Sequence, residues 1–276
     1  MIDDLGGKVA FVTGSAGGIG LGIARALAEA GMQIALADID SVALEASAAE
    51  LTESGATVLP VPLDVTDRAA WSAAATEVER HLGPVQVLCN NAGVSTMGVR
   101  FDEITPELWD KVIAINLTGV YNGIHTFLDG MRTAGWGHIV NTSSMGGLVC
   151  LVPNLSPYAA TKYAVVGLTE SLRLELAPEN VAVSVLCPGG VRTRLWRTSR
   201  PIRGLPDVDT PPEDISGQSG SPNAMDPYLV GRKVLTAIRN NDLYIITHPE
   251  MRPPVQARTD HLLAAFGDSS ATDSSD

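Results

Sequence analysis

Residues 8–20 read Lys-Val-Ala-Phe-Val-Thr-Gly-Ser-Ala-Gly-Gly-Ile-Gly, and they give the strongest indication of the fold. Its first six residues are an apolar run typical of a short strand buried on both faces. A cluster of glycines follows at once, and an Ala/Leu-rich helical pattern begins at Ile19. Glycines between a strand and a helix let the backbone turn tightly and approach a pyrophosphate at the positive end of the helix. This placement predicts a dinucleotide-binding loop, whereas the glycines alone would indicate only a tight turn.

The alternation of strand and helix continues along the chain. Repeated βαβ units predict an α/β fold: a Rossmann-type, doubly wound parallel sheet of about seven strands with helices on both faces. The strand order expected for such a sheet is 3-2-1-4-5-6-7. The predicted strands are 8–13, 33–37, 57–61, 85–88, 137–141, 181–186 and 243–247, and the predicted helices are 19–30, 42–53, 67–82, 107–131, 156–176 and 227–239.

Residues 1–266 contain no second core-forming segment and are predicted to form a single domain. Residues 192–226 interrupt the alternation with five prolines and several glycines and serines, which predicts a substrate lid. The Ser/Asp/Ala-rich tail, 267–276, is predicted to be disordered.

Composition and charge narrow the class of partner. A net charge of −12 argues against nucleic acid and anionic membranes, since both would be repelled. The three cysteines are far apart and lack metal-ligand spacing, so reduced thiols and no metal site are expected. The opening Met1–Asp4 lacks the basic start of a signal peptide, and no apolar run approaches the roughly 18–20 residues of a membrane span. A cytoplasmic protein with a small-molecule substrate is therefore expected.

The choice of cofactor depends on Asp38, which ends the second predicted strand. A carboxylate there accepts hydrogen bonds from the adenosine ribose and repels the 2′-phosphate of NADP. No Lys or Arg lies in the glycine loop, so NAD is the predicted cofactor. Asp40 competes for the same role. Asp64 and Val65 are placed at the adenine pocket, with a turn or N-cap role for Asp64 as the alternative.

Tyr158 and Lys162 stand four residues apart at the start of a predicted helix, which places them on one helix face. An ammonium group beside a phenol favours the phenolate and is expected to lower the tyrosine pKa for acid–base work. Alone, this spacing is equally consistent with a solvated helix face.

Further motifs make the chain resemble the short-chain dehydrogenase/reductase superfamily, in its short single-domain branch. The matching pieces occur in family order and cover about residues 5–195: 13–20 (TGxxxGxG), 90–93 (NNAG), Asn116, Ser143-Ser144, Tyr158 with Lys162, and Pro188-Gly189 with Thr193. The resemblance implies a hydride carried by the nicotinamide and a proton carried by the protein.

The resemblance also assigns roles to individual residues. Tyr158 is the general acid or base, and Lys162 holds the nicotinamide ribose and tunes Tyr158. Ser144 binds the substrate oxygen, and Asn116 anchors a water-mediated proton relay. Ser143 remains an alternative to Ser144, which is preferred for its distance from Tyr158. The candidate cofactor-binding residues are Gly14, Ser15, Gly18, Ile19, Gly20, Asp38, Asp64, Val65, Asn91, Ala92, Gly93, Tyr158, Lys162, Pro188, Gly189, Val191 and Thr193. For residues 90–93, a structural role is the alternative to a chemical one.

Three segments are expected to wall the substrate pocket: 95–99, 145–155 and 194–225. The second is almost wholly apolar, which predicts a hydrophobic, cyclic or aryl-bearing secondary alcohol or ketone. The candidate pocket residues are Met145, Leu151, Leu195 and Trp196. In the alternative interpretation these side chains bury one another and the substrate is small and polar. Four arginines between 194 and 203 meet either an anionic substrate group or solvent.

Oxidation is the preferred direction because cellular NAD pools are mostly oxidised. The alternatives are an NADH-dependent biosynthetic ketone reductase and a non-enzymatic NAD-binding regulator. His248 follows the last predicted strand and is interpreted as structural. The resemblance also implies a homotetramer, or a dimer, built on the helices predicted over 107–131 and 156–176.

Overall fold

A computed structural model describes residues 4–205 and 224–266. Its centre is a seven-stranded parallel sheet in the order β3-β2-β1-β4-β5-β6-β7, which confirms the predicted topology. The strands are β1 Val9–Thr13, β2 Gln33–Asp38, β3 Val58–Pro62, β4 Val85–Asn90, β5 Gly137–Thr142, β6 Val181–Cys187 and β7 Tyr244–Ile246. The helices are α1 Gly18–Glu29, α2 Ser41–Glu53, α3 Arg68–His81, α4 Pro106–Ile113, α5 Gly119–Thr133, α6 Ser156–Leu176, α7 Leu195–Thr198, α8 Pro227–Asn240 and α9 Arg252–Ala264.

Both faces of the sheet are buried, as the continuous apolar strands require. Successive residues of β1 point to opposite faces, so Phe11 joins one core and Val12 the other. On the first face, Phe11 packs against Trp71 of α3 and Phe127 of α5, with ring centroids 5.5 and 4.9 Å away. On the second face, α1, α2 and α8 cover the sheet. Because all seven strands are parallel, their carboxyl ends lie at the same edge of the sheet, and the polar residues that follow the strands meet there.

The single helix predicted over 107–131 is wrong in one respect. A π-helical turn, Ala114–Thr118, separates α4 from α5. This turn carries Asn116, whose side chain is fully buried and hydrogen-bonds to Val94. Such wide turns are frequent at functional sites, because they move one side chain out of helical register.

The helix α9 was not predicted at all. None of its residues is buried, and it has no apolar stripe. It is held by Val255, which packs on the core, and by Arg258, whose guanidinium lies 5.2 Å from the Tyr163 ring centroid on α6. Within the predicted lid, α7 is a short helix. Residues 206–223 of the lid and the predicted disordered tail, 267–276, lie outside the described residues.

No helix within residues 4–205 and 224–266 combines the length and the apolar character needed to cross a bilayer.

His138 on β5 is a fully buried, neutral histidine. The Ser184 hydroxyl donates to the Asp242 carbonyl at 2.5 Å, which leaves its oxygen to accept from Nε2 of His138 at 2.8 Å. Nδ1 of His138 is buried with no hydrogen-bond partner among the described groups. Burial, with a smaller contribution from the charge of Arg173, lowers the pKa of His138 from 6.5 to about 3.

This histidine predicts an acid-sensitive stability. Between pH 6.5 and about 3, His138 is protonated in the unfolded chain but neutral in the folded chain. The free energy of unfolding therefore decreases as the pH is lowered, by up to about 1.4 kcal/mol per pH unit. His138→Gln keeps an N–H for Ser184 and does not titrate, so its urea midpoint is expected to depend less steeply on pH. Parallel slopes for the two proteins across this range would contradict the assignment.

Candidate active site

The glycine loop turns the chain between β1 and α1. Gly14 and Gly18 have φ values of 65° and 54°, in the left-handed region that favours glycine. A Cβ on Gly20 would lie 2.1 Å from the Gly14 carbonyl oxygen, so only glycine fits there. Ser15 is buried, and its N–H and hydroxyl both donate to the Ala37 carbonyl at 3.2 Å. Ile19 is half-buried in the first turn of α1. The N-cap of α1, Gly17, makes no side-chain hydrogen bond to the first amide groups of the helix, which have no intrahelical acceptor.

The two competing aspartates are separated by their hydrogen bonds. Asp38 turns back to the glycine loop, where its Oδ2 accepts from the Ala16 N–H at 3.0 Å. Asp40 instead caps α2, because its Oδ1 accepts from the Ala43 N–H at 3.0 Å. Of these two contacts, only that of Asp38 is made to the glycine loop, and the ribose contact of Asp38 stays a prediction.

Asp64 and Val65 follow β3. The Asp64 carboxylate accepts from both the N–H and the hydroxyl of Thr66, at 2.9 and 2.8 Å, which is a turn role. The Val65 side chain is buried, and its carbonyl accepts from Trp71 Nε1 and Asn122 Nδ2 at 3.0 Å each. These contacts favour the structural alternative for Asp64, and Val65 lies close to the start of α5 through Gly119.

Residues 90–93 connect three strands at the carboxyl edge. The N–H groups of Asn91 and Ala92 both donate to the Thr13 hydroxyl, at 2.9 and 3.0 Å. Asn90 donates to Asn141 of β5 at 2.9 Å. A Cβ on Gly93 would lie 3.3 Å from Asn116 Oδ1 and 3.5 Å from Lys162 Nζ. The segment thus fixes the sheet and also borders the catalytic candidates.

Lys162 is buried beneath Tyr158 on α6. Its Nζ donates to the Thr142 carbonyl at 2.9 Å and lies 5.5 Å from the Tyr158 ring centroid. Burial lowers the pKa of Lys162 from 10.5 to about 8. The two residues predicted to act together are therefore neighbours in space as well as on one helix face.

The expected effect on the Tyr158 pKa is wrong. Burial raises the pKa of Tyr158 above its ordinary value of 10, and a hydrogen bond from Ser144 only partly offsets this. Removing the phenolate from water penalises its charge, and this penalty outweighs the hydrogen bond from Ser144.

Two neighbouring serines leave β5 with different partners. The Ser143 hydroxyl is buried and donates to the Lys162 carbonyl at 2.7 Å. Ser144 accepts from the Gly146 N–H at 3.1 Å and hydrogen-bonds to Tyr158. Ser144 is therefore on the Tyr158 side, which supports its choice over Ser143 as the substrate-binding candidate.

The serine assignment makes a kinetic prediction. Ser144→Ala is expected to lower kcat about 100-fold, since it removes one donor to the reacting oxygen. The matched variant Ser143→Ala is expected to keep kcat within a few-fold and to lower the free energy of unfolding by about 1 kcal/mol, because it removes one buried hydrogen bond to the Lys162 carbonyl. Steady-state kinetics and urea unfolding of both variants check this, and a reversed pattern would reassign the role to Ser143.

The Asn116 side chain hydrogen-bonds mainly to the backbone of Val94. Its Oδ1 accepts from the Val94 N–H at 2.8 Å, and its Nδ2 donates to the Val94 carbonyl at 2.9 Å and to Thr161 at 3.2 Å. The described contacts are those of a positioning residue, and the proton-relay role stays a prediction.

The segment after β6 lies over the glycine loop. A Cβ on Gly18 would lie 3.2 Å from Thr193 Cγ2, and the Pro188 carbonyl accepts from Met145 N–H at 2.9 Å. Val191 is buried and pairs with Met225 at the far end of the lid. The predicted nicotinamide-loop residues are thus placed between the glycine loop and the catalytic candidates.

His248 holds this segment from behind, a role that sequence reasoning described only as structural. Its Nδ1 accepts from the Gly189 N–H at 3.2 Å, and its Nε2 lies 3.1 Å from the Gly190 carbonyl oxygen. A Cβ on Gly189 would lie 2.7 Å from the His248 ring, so this close packing requires glycine. In the sequence, the adjacent glycines Gly189 and Gly190 were the feature that could have indicated this close contact.

The three predicted pocket walls are joined by hydrogen bonds. The Ser95 N–H donates to the buried Ser199 at the end of α7, at 2.8 Å, and the Gly98 N–H donates to the Asn154 carbonyl at 3.1 Å. Among the candidate pocket residues, Met145 is buried, and Leu195 and Trp196 are half-buried on α7. Leu151 is 55% exposed, so it lies at the rim of the walls at most.

Comparison with known proteins agrees with this geometry. The family model for short chain dehydrogenases matches residues 8–203. A C alpha-dehydrogenase from Sphingobium sp. (strain NBRC 103272 / SYK-6) is 35% identical over 255 residues, 90% of this chain and 83% of that protein. A 3-alpha-(or 20-beta)-hydroxysteroid dehydrogenase from Mycobacterium tuberculosis is 37% identical over 238 residues, 86% and 85% of the two chains.

Solved structures show the same similarity with either nicotinamide cofactor. A short chain dehydrogenase/reductase from Burkholderia phymatum in complex with NAD gives a TM-score of 0.88 at 31% identity, covering 96% of this chain and 97% of that one. A metagenomic short-chain oxidoreductase in complex with NADP gives 0.64 at 37% identity, covering 69% and 86%.

Proposed function

The chain belongs to the short-chain dehydrogenase/reductase superfamily, and we propose that it is an NAD-dependent oxidoreductase interconverting a hydrophobic secondary alcohol and its ketone. One observation carries the proposal: Tyr158, Ser144 and Lys162 converge at the carboxyl edge of the sheet, beside the glycine loop. In this superfamily the bound nicotinamide accepts or donates the hydride.

The protein's part of the reaction is proton transfer and orientation. In oxidation, the Tyr158 phenolate accepts the alcohol proton; in reduction, the phenol donates it to the carbonyl oxygen. Ser144 donates a hydrogen bond to the same oxygen, where charge develops. Lys162, with a pKa of about 8, is poised to exchange protons near neutral pH and to hold the nicotinamide ribose through its remaining donors. Because Lys162 is buried and bonded to the Thr142 carbonyl, its distance from the Tyr158 ring is fixed.

NAD, in preference to NADP, is supported by Asp38. Its carboxylate is held at the glycine loop by Ala16, where it repels a 2′-phosphate. Asp38→Asn keeps an acceptor for that N–H and removes the charge. We expect it to raise kcat/KM for NADP relative to NAD by about 10- to 100-fold, the effect of relieving one close like-charge contact. Equal use of both cofactors by the unaltered protein would remove the basis for this preference.

A hydrophobic, cyclic or aryl-bearing substrate is supported by the composition of the pocket walls. Met145 is buried and directly follows Ser144, and the α7 side chains Leu195 and Trp196 are apolar and half-buried. A relative named for a steroid hydroxyl group points the same way. The exposed position of Leu151 favours a pocket open at one end, which suits a bulky substrate.

Oxidation is the proposed direction, and reduction by NADH is the second candidate with the same residues. A spectrophotometric screen of NAD and NADP against aliphatic, alicyclic, aryl and steroid secondary alcohols tests the proposal. Turnover of cyclic or aryl alcohols with NAD supports it. Turnover only of small polar alcohols would refute the substrate class, and NADH binding with no turnover in either direction would favour a regulator.

A cytoplasmic homotetramer, or a dimer, is proposed for the assembly. Exposed apolar side chains on α4, α5 and α6, Trp109, Tyr121 and Leu174, support association through these helices. The free, exposed Cys150 supports a reducing compartment. A monomer in size-exclusion chromatography with light scattering would refute the assembly.

A further inference from the structure

The Arg194 side chain extends from the start of α7 to the start of α1. A Cβ on Gly17, the N-cap of α1, would lie 3.3 Å from Nη2 of Arg194. The preceding Thr193 approaches Gly18 in the same way, so the chain from β6 lies along the glycine loop at two consecutive positions. The sequence predicted that Arg194 meets either an anionic substrate group or solvent, and no arginine occurs within the glycine loop itself.

The electrostatics of this contact are unfavourable without an anion. The N-terminus of a helix carries a partial positive charge, and the guanidinium brings a full one to the same place. The first turn of α1 contains no acidic residue, and Gly17 offers no side-chain acceptor. None of the ion pairs formed by described residues includes Arg194. Two positive groups therefore face the same space.

We propose that Arg194 is a further cofactor-binding residue, which grips the pyrophosphate of the dinucleotide from the side opposite the α1 amide groups. This inference rests on the proposed function, and it adds a residue to that site. A guanidinium binds phosphate oxygens with charge-assisted, often paired hydrogen bonds. The helix N-terminus supplies the other half of the anion-binding arrangement.

The pyrophosphate is favoured over a ribose 2′-phosphate by the position of Asp38. Its carboxylate sits on the Ala16 side of the loop and would repel a 2′-phosphate there. Arg194 instead lies over Gly17, at the amide groups that open α1. The two anions share one chemistry, so the experiment must separate them.

Arg194 also connects the cofactor to the substrate wall. It is the N-cap of α7, and its carbonyl accepts from the N–H groups of Arg197 and Thr198 at 2.8 and 2.9 Å. The same short helix carries Leu195 and Trp196. Binding of the pyrophosphate by Arg194 would fix α7 and so complete the pocket before the alcohol enters.

The test measures binding of ADP-ribose, which contains the pyrophosphate but no nicotinamide, by calorimetry. Arg194→Ala is expected to weaken ADP-ribose binding about tenfold, as for one charge-assisted contact at an exposed site, and Arg194→Lys is expected to weaken it less. Adenosine, measured as a competitor of NADH fluorescence, is expected to bind equally to all forms. Arg239→Ala, which removes an exposed positive charge on α8, is the control and is expected to bind ADP-ribose like the unaltered protein.

Three outcomes would overturn the inference. In the first, Arg194→Ala leaves ADP-ribose binding unchanged, and in the second, the loss is confined to ligands with a 2′-phosphate. Equal losses for ADP-ribose and adenosine would also overturn it, because they indicate a general structural change. Failure of the unaltered protein to bind either ADP-ribose or NADH would refute the proposed function itself, which keeps the two conclusions separate.

Discussion

Tyr158→Phe is expected to reduce kcat for alcohol oxidation by about 1,000-fold or more, within the range that a positioned general acid or base contributes. The variant removes one hydroxyl and keeps the ring that packs over Lys162. NADH affinity and thermal stability should therefore remain close to those of the unaltered protein. Because burial raises the Tyr158 pKa, the oxidation rate of the unaltered protein should rise with pH in the alkaline range, where the phenolate fraction grows.

Tyr244→Phe is the matched control for this variant. Its hydroxyl donates to Glu170 at 2.5 Å, at the β7 edge of the sheet and away from Ser144. Tyr244→Phe also loses a tyrosine hydroxyl group, and its kcat should equal that of the unaltered protein. Steady-state kinetics with the alcohol found by the screen compare the two variants. Comparable kcat values for Tyr158→Phe and the unaltered protein would exclude Tyr158 as the proton carrier.

The order of the sheet could be predicted because its information is local. Each strand is a short apolar run, each connection contains a helix, and right-handed crossovers leave few topologies. The glycine loop was likewise predictable, since strand, glycines and helix follow one another directly. The capping role of Asp40 could also have been recognised, because an aspartate at the first position before a helix is the usual N-cap signal.

The features that could not be predicted depend on contacts between distant parts of the chain. The π-helical turn at Asn116 has no composition signal, and it places that side chain against Val94. The helix α9 has no apolar stripe that would predict it. It is attached at a few points instead, among them the contact between Arg258 and the Tyr163 ring. The raised pKa of Tyr158 arises from burial, which the spacing of Tyr158 and Lys162 does not encode.

The contact between α1 and α8 is the clearest example of such a distant dependence. Gly22 and Gly231 let the two helix backbones touch. A Cβ on Gly22 would lie 2.2 Å from the Pro227 carbonyl oxygen, and one on Gly231 would lie 2.0 Å from the Gly22 carbonyl oxygen. Neither glycine has a positive φ, so each is required by the close approach alone. Neither position shows this in the sequence, because its partner lies in a helix far along the chain.

Gly22→Ala is therefore expected to destabilise the fold by about 3 kcal/mol or more, at the upper end of the overpacking range, since the obstructing atoms are backbone and cannot rotate away. The helices must separate, which moves the glycine loop at the start of α1 and should also weaken NADH binding. Gly130→Ala is the control: it lies in α5 with nothing within 4 Å of its Cβ, and it should stabilise by about 0.5–1 kcal/mol.

Urea midpoints and NADH fluorescence titrations of both alanine variants measure these effects together. If Gly22→Ala folds too poorly for titration, its yield of folded protein beside that of Gly130→Ala gives the same comparison. A Gly22→Ala protein as stable as the unaltered one would mean that α1 and α8 can move apart freely. In that case α8 would not fix the position of the glycine loop, and the packing of α1 on α8 would not determine the geometry of the cofactor site. The expected result instead ties the geometry of the active site to one glycine pair on the opposite face of the sheet from the aromatic core.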